Sequence, residues 1–261
     1  MYFKSKFNFL LITVSYVYFL TTFVTMTVIV TENETELINK LASILENNSN
    51  TSITRDGTFK VGLSGGSVVK FLNEAIPKLK TDLSKWKLFF CDERVVPEDD
   101  PESTFGTYKK NLIGKVNLKE DQFVRIKQGV SADEAAKDYV RQMAEYFPGS
   151  LLPRFDMLLL GMGPDGHTCS LFPGHQLLNE NKVWVAPITD SPKPPPQRVT
   201  LTFPVINNAR VAVFAIAGEG KADMVKRILV DKEDLPAGRV QPSSGELYWI
   251  LDKEAARHYS K

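Results

Sequence analysis

Histidine and cysteine are scarce in this chain. Its 261 residues hold three histidines, His167, His175 and His258, and two cysteines, Cys91 and Cys169. Two thiols cannot staple a disulfide framework, and they suit a reducing compartment. Imidazole chemistry, if present, has only three carriers. A charge excess is missing too. The 32 basic and 31 acidic residues leave a net +1, not the basic surplus of a protein that tracks along nucleic acid. A local cationic pocket for a small anion stays open. There is no internal repeat, and the one biased tract is Ser191-Pro192-Lys193-Pro194-Pro195-Pro196, read as a rigid extended loop. With 43% hydrophobic and 24% charged residues, 16 Gly and 15 Pro, the chain is neither disordered, collagen-like nor coiled-coil. It is long enough to bury a sizeable core.

Charge is also absent from Phe7 to Val30, behind Lys4 and Lys6. A positive start and an apolar stretch read as a signal peptide or a membrane anchor, and a span needs about 20 residues. Thr, Ser, Tyr and Asn dilute this run, and no Ala-x-Ala cleavage site follows it. A third reading makes Met26 the working start. Residues 1–25 are therefore set apart as an extension of open role, and residues 26–261 as the functional domain.

From Met26 onward, strand and helix patterns alternate. Thr27–Val30 reads as a first strand and Thr35–Leu45 as a helix. Short, nearly continuous apolar runs recur at Phe59–Leu63, Trp86–Phe90, Phe155–Leu160, Val183–Ile188, Val211–Ala217 and Leu247–Leu251. Such runs suit strands covered on both faces. Between them, Val68, Phe71, Leu72, Ala75, Ile76 and Leu79 keep helical spacing, as do Ala222, Val225, Ile228 and Leu229. Ser131 with Glu134 forms a capping box ahead of Ala135, Ala136, Tyr139, Val140 and Met143. The expectation is a single-domain, Rossmann-like α/β fold: a mostly parallel sheet with helices on both faces.

Ligands bind beyond the carboxyl ends of such sheets, so the residues after each strand matter most. Ser64-Gly65-Gly66-Ser67 combines a tight turn, exposed N–H groups and two hydroxyls at a helix start, which suits a phosphate or carboxylate. It also reads as a plain turn with Ser67 as N-cap. Cys91-Asp92-Glu93-Arg94 offers a guanidinium for a phosphate, or a surface ion pair. Its acids can orient Arg94 or accept substrate hydroxyls. Gly161-Met162-Gly163-Pro164-Asp165-Gly166-His167 matches G-x-G-x-x-G. The early Pro173 and the large His167 after the third glycine argue against a dinucleotide site. It reads better as a catalytic loop, with His167 as base and the N–H groups of Gly163 and Gly166 facing an oxyanion. A structural histidine is the plainer reading. In Gly218-Glu219-Gly220-Lys221, a lysine at a helix start is misplaced for the dipole and suits a bound anion, or is simply solvated. The cysteines read as core thiols and His175 as a surface loop residue.

In this order the segments resemble the 6-phosphogluconolactonases. The resemblance rests on Gly62–Ser67, Phe90–Pro97, Glu102–Tyr108, Gly161–Gly174, Ser191–Thr202 and Gly218–Ala222. Glucosamine-6-phosphate deaminases share a similar glycine–histidine turn but continue it differently; here Ser170-Leu171-Phe172-Pro173 follows. The resemblance implies hydrolysis of 6-phospho-D-glucono-1,5-lactone to the gluconate, as in the pentose phosphate pathway. His167 would be the general base and Asp165 the residue that orients the site. Ser64, Gly65, Gly66, Ser67, Arg94 and Lys221 would hold the phosphate, with Arg198 as a further substrate contact. It implies no metal, redox cofactor or nucleic-acid partner, and a monomer in the cytoplasm. The apolar leader departs from the family pattern and leaves a membrane-anchored or lumenal location open. Other readings are a sugar-phosphate deaminase or isomerase, and a non-catalytic sugar-phosphate sensor.

Overall fold

Alternate residues along the strands sort onto opposite faces of one sheet, as the two-residue period of a pleated strand requires. A computed structural model describes residues 25–259; the readings made for residues 1–24 lie outside the described residues. The first half runs β1 (Thr25–Thr31), α1 (Glu34–Asp56), β2 (Phe59–Leu63), α2 (Ser67–Ala75), β3 (Trp86–Phe90), β4 (Asp92–Arg94), α3 (Thr104–Asn111) and α4 (Ala132–Tyr146). The second half runs β5 (Met157–Leu160), β6 (Val185–Ile188), β7 (Arg198–Leu201), α5 (Phe203–Ile206), β8 (Val211–Ile216), α6 (Ala222–Leu229) and β9 (Glu246–Asp252). Six strands form a parallel sheet in the order β1-β9-β8-β5-β2-β3.

One face carries Val61, Leu63, Met157, Leu159 and Val213 against α1, α2 and α3. The other carries Leu158, Leu160, Phe214, Trp249 and Leu251 against α4 and α6. Each large apolar side chain so buried contributes about 1.5–3 kcal/mol. The parallel α/β layering expected from the sequence is present, and among the described residues no helix is long and apolar enough to cross a membrane.

Two expectations change. Val183–Ile188 is not part of the parallel sheet: β6 pairs antiparallel with β7, and β7 with β4, in a separate three-stranded sheet. And α1 runs to Asp56 rather than to Leu45. The stretch 47–52 consists of Asn, Ser and Thr, poor helix formers. Ser49 and Ser52 are nevertheless buried; the Ser49 hydroxyl donates to Glu46 O and pairs with the Thr81 hydroxyl at 3.0 Å. Packing overrides propensity here.

The topology fixes where a ligand can sit. From β2 the chain moves outward to β3, then returns across β2 to β5. That reversal places a crevice at the carboxyl ends of β2 and β5. The turns after β8, β5, β2 and β3 are neighbours along that edge because these strands are adjacent and parallel.

Candidate active site

At that crevice lies a cavity of about 200 Å³. Ser64, Gly65, Gly66 and Ser67 line one wall, and Gly161, Met162, Gly163 and His167 the opposite one. Asp92, Arg94, Thr104, Cys169, Arg198 and Lys221 complete it. All four strand-end segments singled out in the sequence therefore meet in one place. A larger, more open depression of about 810 Å³ spans residues 98–101 and α3. It touches neither glycine turn and presents no unpartnered buried polar side chain.

The β2 turn leaves hydrogen-bond donors unpaired among the described residues. Gly66, not Ser67, is the N-cap of α2, and no side chain caps the helix. Its φ of 65° is a left-handed value that favours glycine. The N–H groups of Gly65, Gly66, Ser67 and Val68 find no acceptor among the described residues. The Ser64 hydroxyl is buried without a hydrogen-bond partner, while Ser64 O is pinned by the Tyr108 hydroxyl at 2.8 Å. Orphan helix donors beside an unpaired buried hydroxyl favour a phosphate or carboxylate.

The cations close in from the sides. Lys221 Nζ donates to Met162 O at 2.7 Å. Burial, then repulsion from Lys193, lowers its pKa. Arg94 is held by Glu102 through its carbonyl, 2.9 Å, and its carboxylate, 3.0 Å; its Nε remains buried and unpaired. Glu93 neither orients this guanidinium nor faces the cavity. Its carboxyl accepts the N–H groups of Arg94, Thr104 and Phe105 and so fixes the start of α3. Burial nonetheless pushes its pKa up to about 7. Glu93→Ala is expected to cost about 2–4 kcal/mol by stranding buried donors. Urea unfolding should show a lower midpoint at unchanged slope.

The Gly161–His167 loop brings its two polar side chains together. His167 Nδ1 lies 2.5 Å from Asp165 Oδ1, and the imidazole packs on Phe172 with ring centroids 4.6 Å apart. A carboxylate at that distance requires the proton on Nδ1, which leaves Nε2 with a free lone pair. Burial depresses the His167 pKa despite Asp165, which favours the neutral ring. Burial works to raise the Asp165 pKa, but hydrogen bonds from His167 and Lys193 hold it down at about 2. The N–H groups of Gly163 and Gly166, read from the sequence as facing an oxyanion, are engaged within the turn. Gly163 N–H donates to His167 O at 2.9 Å and Gly166 N–H to Gly163 O at 3.1 Å, closing the turn. Gly166 does not border the cavity.

Arg198 borders the cavity, yet four of its five N–H donors are committed elsewhere. They go to the carbonyls of Lys193, Pro194 and Pro195 and to the Ser170 hydroxyl. Ser170 also donates to Asp92 at 2.8 Å. The hydrogen bond with Cys91, then burial, holds the Cys169 thiol well above its usual pKa, so no thiolate forms. Sequence reasoning passed over Thr104 and Lys193. Lys193 sits inside the quoted Pro-rich string, but only the fold brings it to Asp165 Oδ1, 3.0 Å, and His167 Nδ1, 3.2 Å. Among the described residues no group of three or more His, Cys, Asp or Glu could hold a metal ion.

Known proteins share this arrangement of sequence and fold. The 6-phosphogluconolactonase of Bos taurus is 52% identical over 206 residues, covering 76% of this chain and 80% of its own. That of Rattus norvegicus is 50% identical over 224 residues, 84% of each chain. The solved structure of 6-phosphogluconolactonase from Trypanosoma cruzi superposes with a TM-score of 0.77 at 28% identity, covering 93% of this chain and 99% of that one. The family model described as glucosamine-6-phosphate isomerases/6-phosphogluconolactonase matches residues 32–249. The chain therefore belongs to the glucosamine-6-phosphate isomerase/6-phosphogluconolactonase family.

Proposed function

We propose that this chain, through residues 26–261, hydrolyses 6-phospho-D-glucono-1,5-lactone to 6-phospho-D-gluconate. The observation that carries this reading is one polar cavity lined both by an imidazole held on Asp165 and by unpaired anion-seeking donors. The names of the relatives support the substrate.

The phosphate sits on the Gly65–Val68 N–H groups and the hydroxyls of Ser64 and Ser67, with Arg94 and Lys221 alongside. This anchors the far end of the sugar and brings C1 to His167. His167 Nε2 takes a proton from water as the water oxygen bonds to C1. Negative charge then collects on the carbonyl oxygen. On the catalytic loop, Gly161 and Met162 border the cavity and their N–H groups have no backbone acceptor among the described residues; these are the donors the oxyanion meets. As the bond between C1 and the ring oxygen breaks, the imidazolium returns its proton to that oxygen. The lactone and one water become the hydroxy acid, and the base is restored.

The test is an assay with the lactone generated in place, at a pH where spontaneous opening is slow. Formation of 6-phosphogluconate above background supports the reading; no excess over background overturns it. Glucosamine 6-phosphate is the control for the other branch of the family, with ammonia release as its signature. Lys221→Ala is expected to raise KM about tenfold or more with kcat within a few-fold, because it removes one charged contact to the phosphate. Initial rates across lactone concentration check this.

A further inference from the structure

Lys193 is surrounded by more structure than a surface ion pair needs. Its ammonium group meets Asp165 Oδ1 at 3.0 Å and His167 Nδ1 at 3.2 Å. Taken alone, a half-exposed lysine beside a carboxylate is worth little. The backbone around it says otherwise. Arg198 is only 2% exposed, and it donates to the carbonyls of Lys193, Pro194 and Pro195. The Ser191 hydroxyl donates to Lys193 O and accepts from Lys193 N–H. Ser191 N–H closes the loop on Pro196 O. A buried guanidinium thus holds one turn of backbone in place, and the side chain that turn projects reaches the Asp165–His167 pair.

We infer that Lys193 is a positioning residue for the Asp165–His167 pair, and that Arg198 acts through the loop to deliver it. The physical argument concerns charge balance. Nδ1 carries its proton toward Asp165, so Lys193 does not donate to the ring; it shares the same carboxylate oxygen and faces the ring as a bare positive charge. Asp165 stabilises an imidazolium and works against the depression that burial imposes on the ring. Lys193 offsets that attraction and keeps Nε2 free to accept a proton. Once the imidazolium forms, the same charge favours its release to the leaving oxygen. Asp92, on β4, acts with Asp165 to favour the charged ring. Arg198 stands across Phe172, 5.7 Å from that ring, and Lys221 stands on the cavity wall.

The kinetic part of this inference rests on the lactonase reading; the titration part does not. The experiment follows the His167 ring by proton NMR against pH in the full chain, where three histidines make assignment by substitution practicable. It compares wild type with Lys193→Met, Lys193→Gln, Lys193→Arg and Arg198→Ala, and runs kcat and KM across pH 5.5–8 alongside. In Lys193→Met and Lys193→Gln the His167 midpoint should rise by about one pH unit. The loss of kcat should then be about tenfold greater at the acid end than at pH 8, with KM within about twofold. Lys193→Arg should restore the midpoint, and Arg198→Ala should reproduce the Met variant. An unmoved midpoint in folded Lys193→Met and Lys193→Gln would overturn the inference. So would a rise in KM with an unchanged pH profile, which would make Lys193 a substrate contact. A wild type that titrates as described but opens no lactone would instead overturn the proposed function and leave the positioning role standing.

Discussion

Replacing His167 by alanine is expected to lower kcat by about 10²–10⁴-fold, the range a positioned base supplies, while KM stays within a few-fold. The two parameters separate because the cavity's walls come from different elements. Ser64 to Ser67, Arg94 and Lys221 remain in place when the imidazole is gone, so the phosphate is still held. Among the described residues no second imidazole lines the cavity. The Cys169 thiol keeps its proton, and Asp165, held at about 2, is too weak a base to replace it. Because the lactone opens by itself in water, turnover must be measured against that background. The deleted ring leaves a hole on the cavity wall, so added imidazole should restore part of the rate. In the wild type, kcat/KM should fall only below the usual imidazole range, since burial depresses the His167 pKa and protonation removes the base. Near-normal kcat in His167→Ala, after background subtraction, would end the general-base mechanism.

The parts of the fold that the sequence announces are those in which each strand is covered on both faces. Trp86–Phe90 and Phe59–Leu63 form strands over the residues their apolar runs mark, because an unbroken run has no other way to satisfy a two-sided layer. Short elements leave no such trace. β4 and β7 are three and four residues long, too short to show a period. For that reason the sequence marks no strand at Asp92, just past Trp86–Phe90, or at Arg198. Helix α3 is missed because its interior holds a glycine and it buries only Thr104, Phe105 and Tyr108. The site is legible to the same degree. Glycine turns and their polar neighbours can be read along the chain, since each lies just after a strand. What each donor is bound to cannot, because it depends on contacts across the fold. The N–H groups of Gly163 and Gly166 are drawn into the turn by His167 O and Gly163 O. Arg198 is drawn off by carbonyls, and Lys193 is carried in from another loop.

Gly163→Ala should be almost as damaging to catalysis as loss of His167 itself, without unfolding the protein. A methyl group at Gly163 would stand 2.0 Å from both Cε1 and Nδ1 of His167 and 2.8 Å from Asp165 Oδ1. Carbon cannot approach a ring that closely, so the imidazole must swing away or the turn must open. Either movement parts Nδ1 from Asp165 Oδ1 and shifts Nε2 off the line to the lactone carbon. A displacement of about 1 Å costs about 10²-fold in rate when geometry makes the reaction effectively unimolecular. The ring borders the cavity, so the clash relaxes into open space rather than into the core, and the melting temperature should change by only a few degrees. KM should change little, since the anion cradle belongs to the β2 turn. The decisive comparison is kcat and melting temperature of Gly163→Ala beside His167→Ala, together with the His167 proton resonance. Full activity in Gly163→Ala, or an imidazole resonance unmoved from wild type, would show that the contact at Gly163 does not set the position of the base.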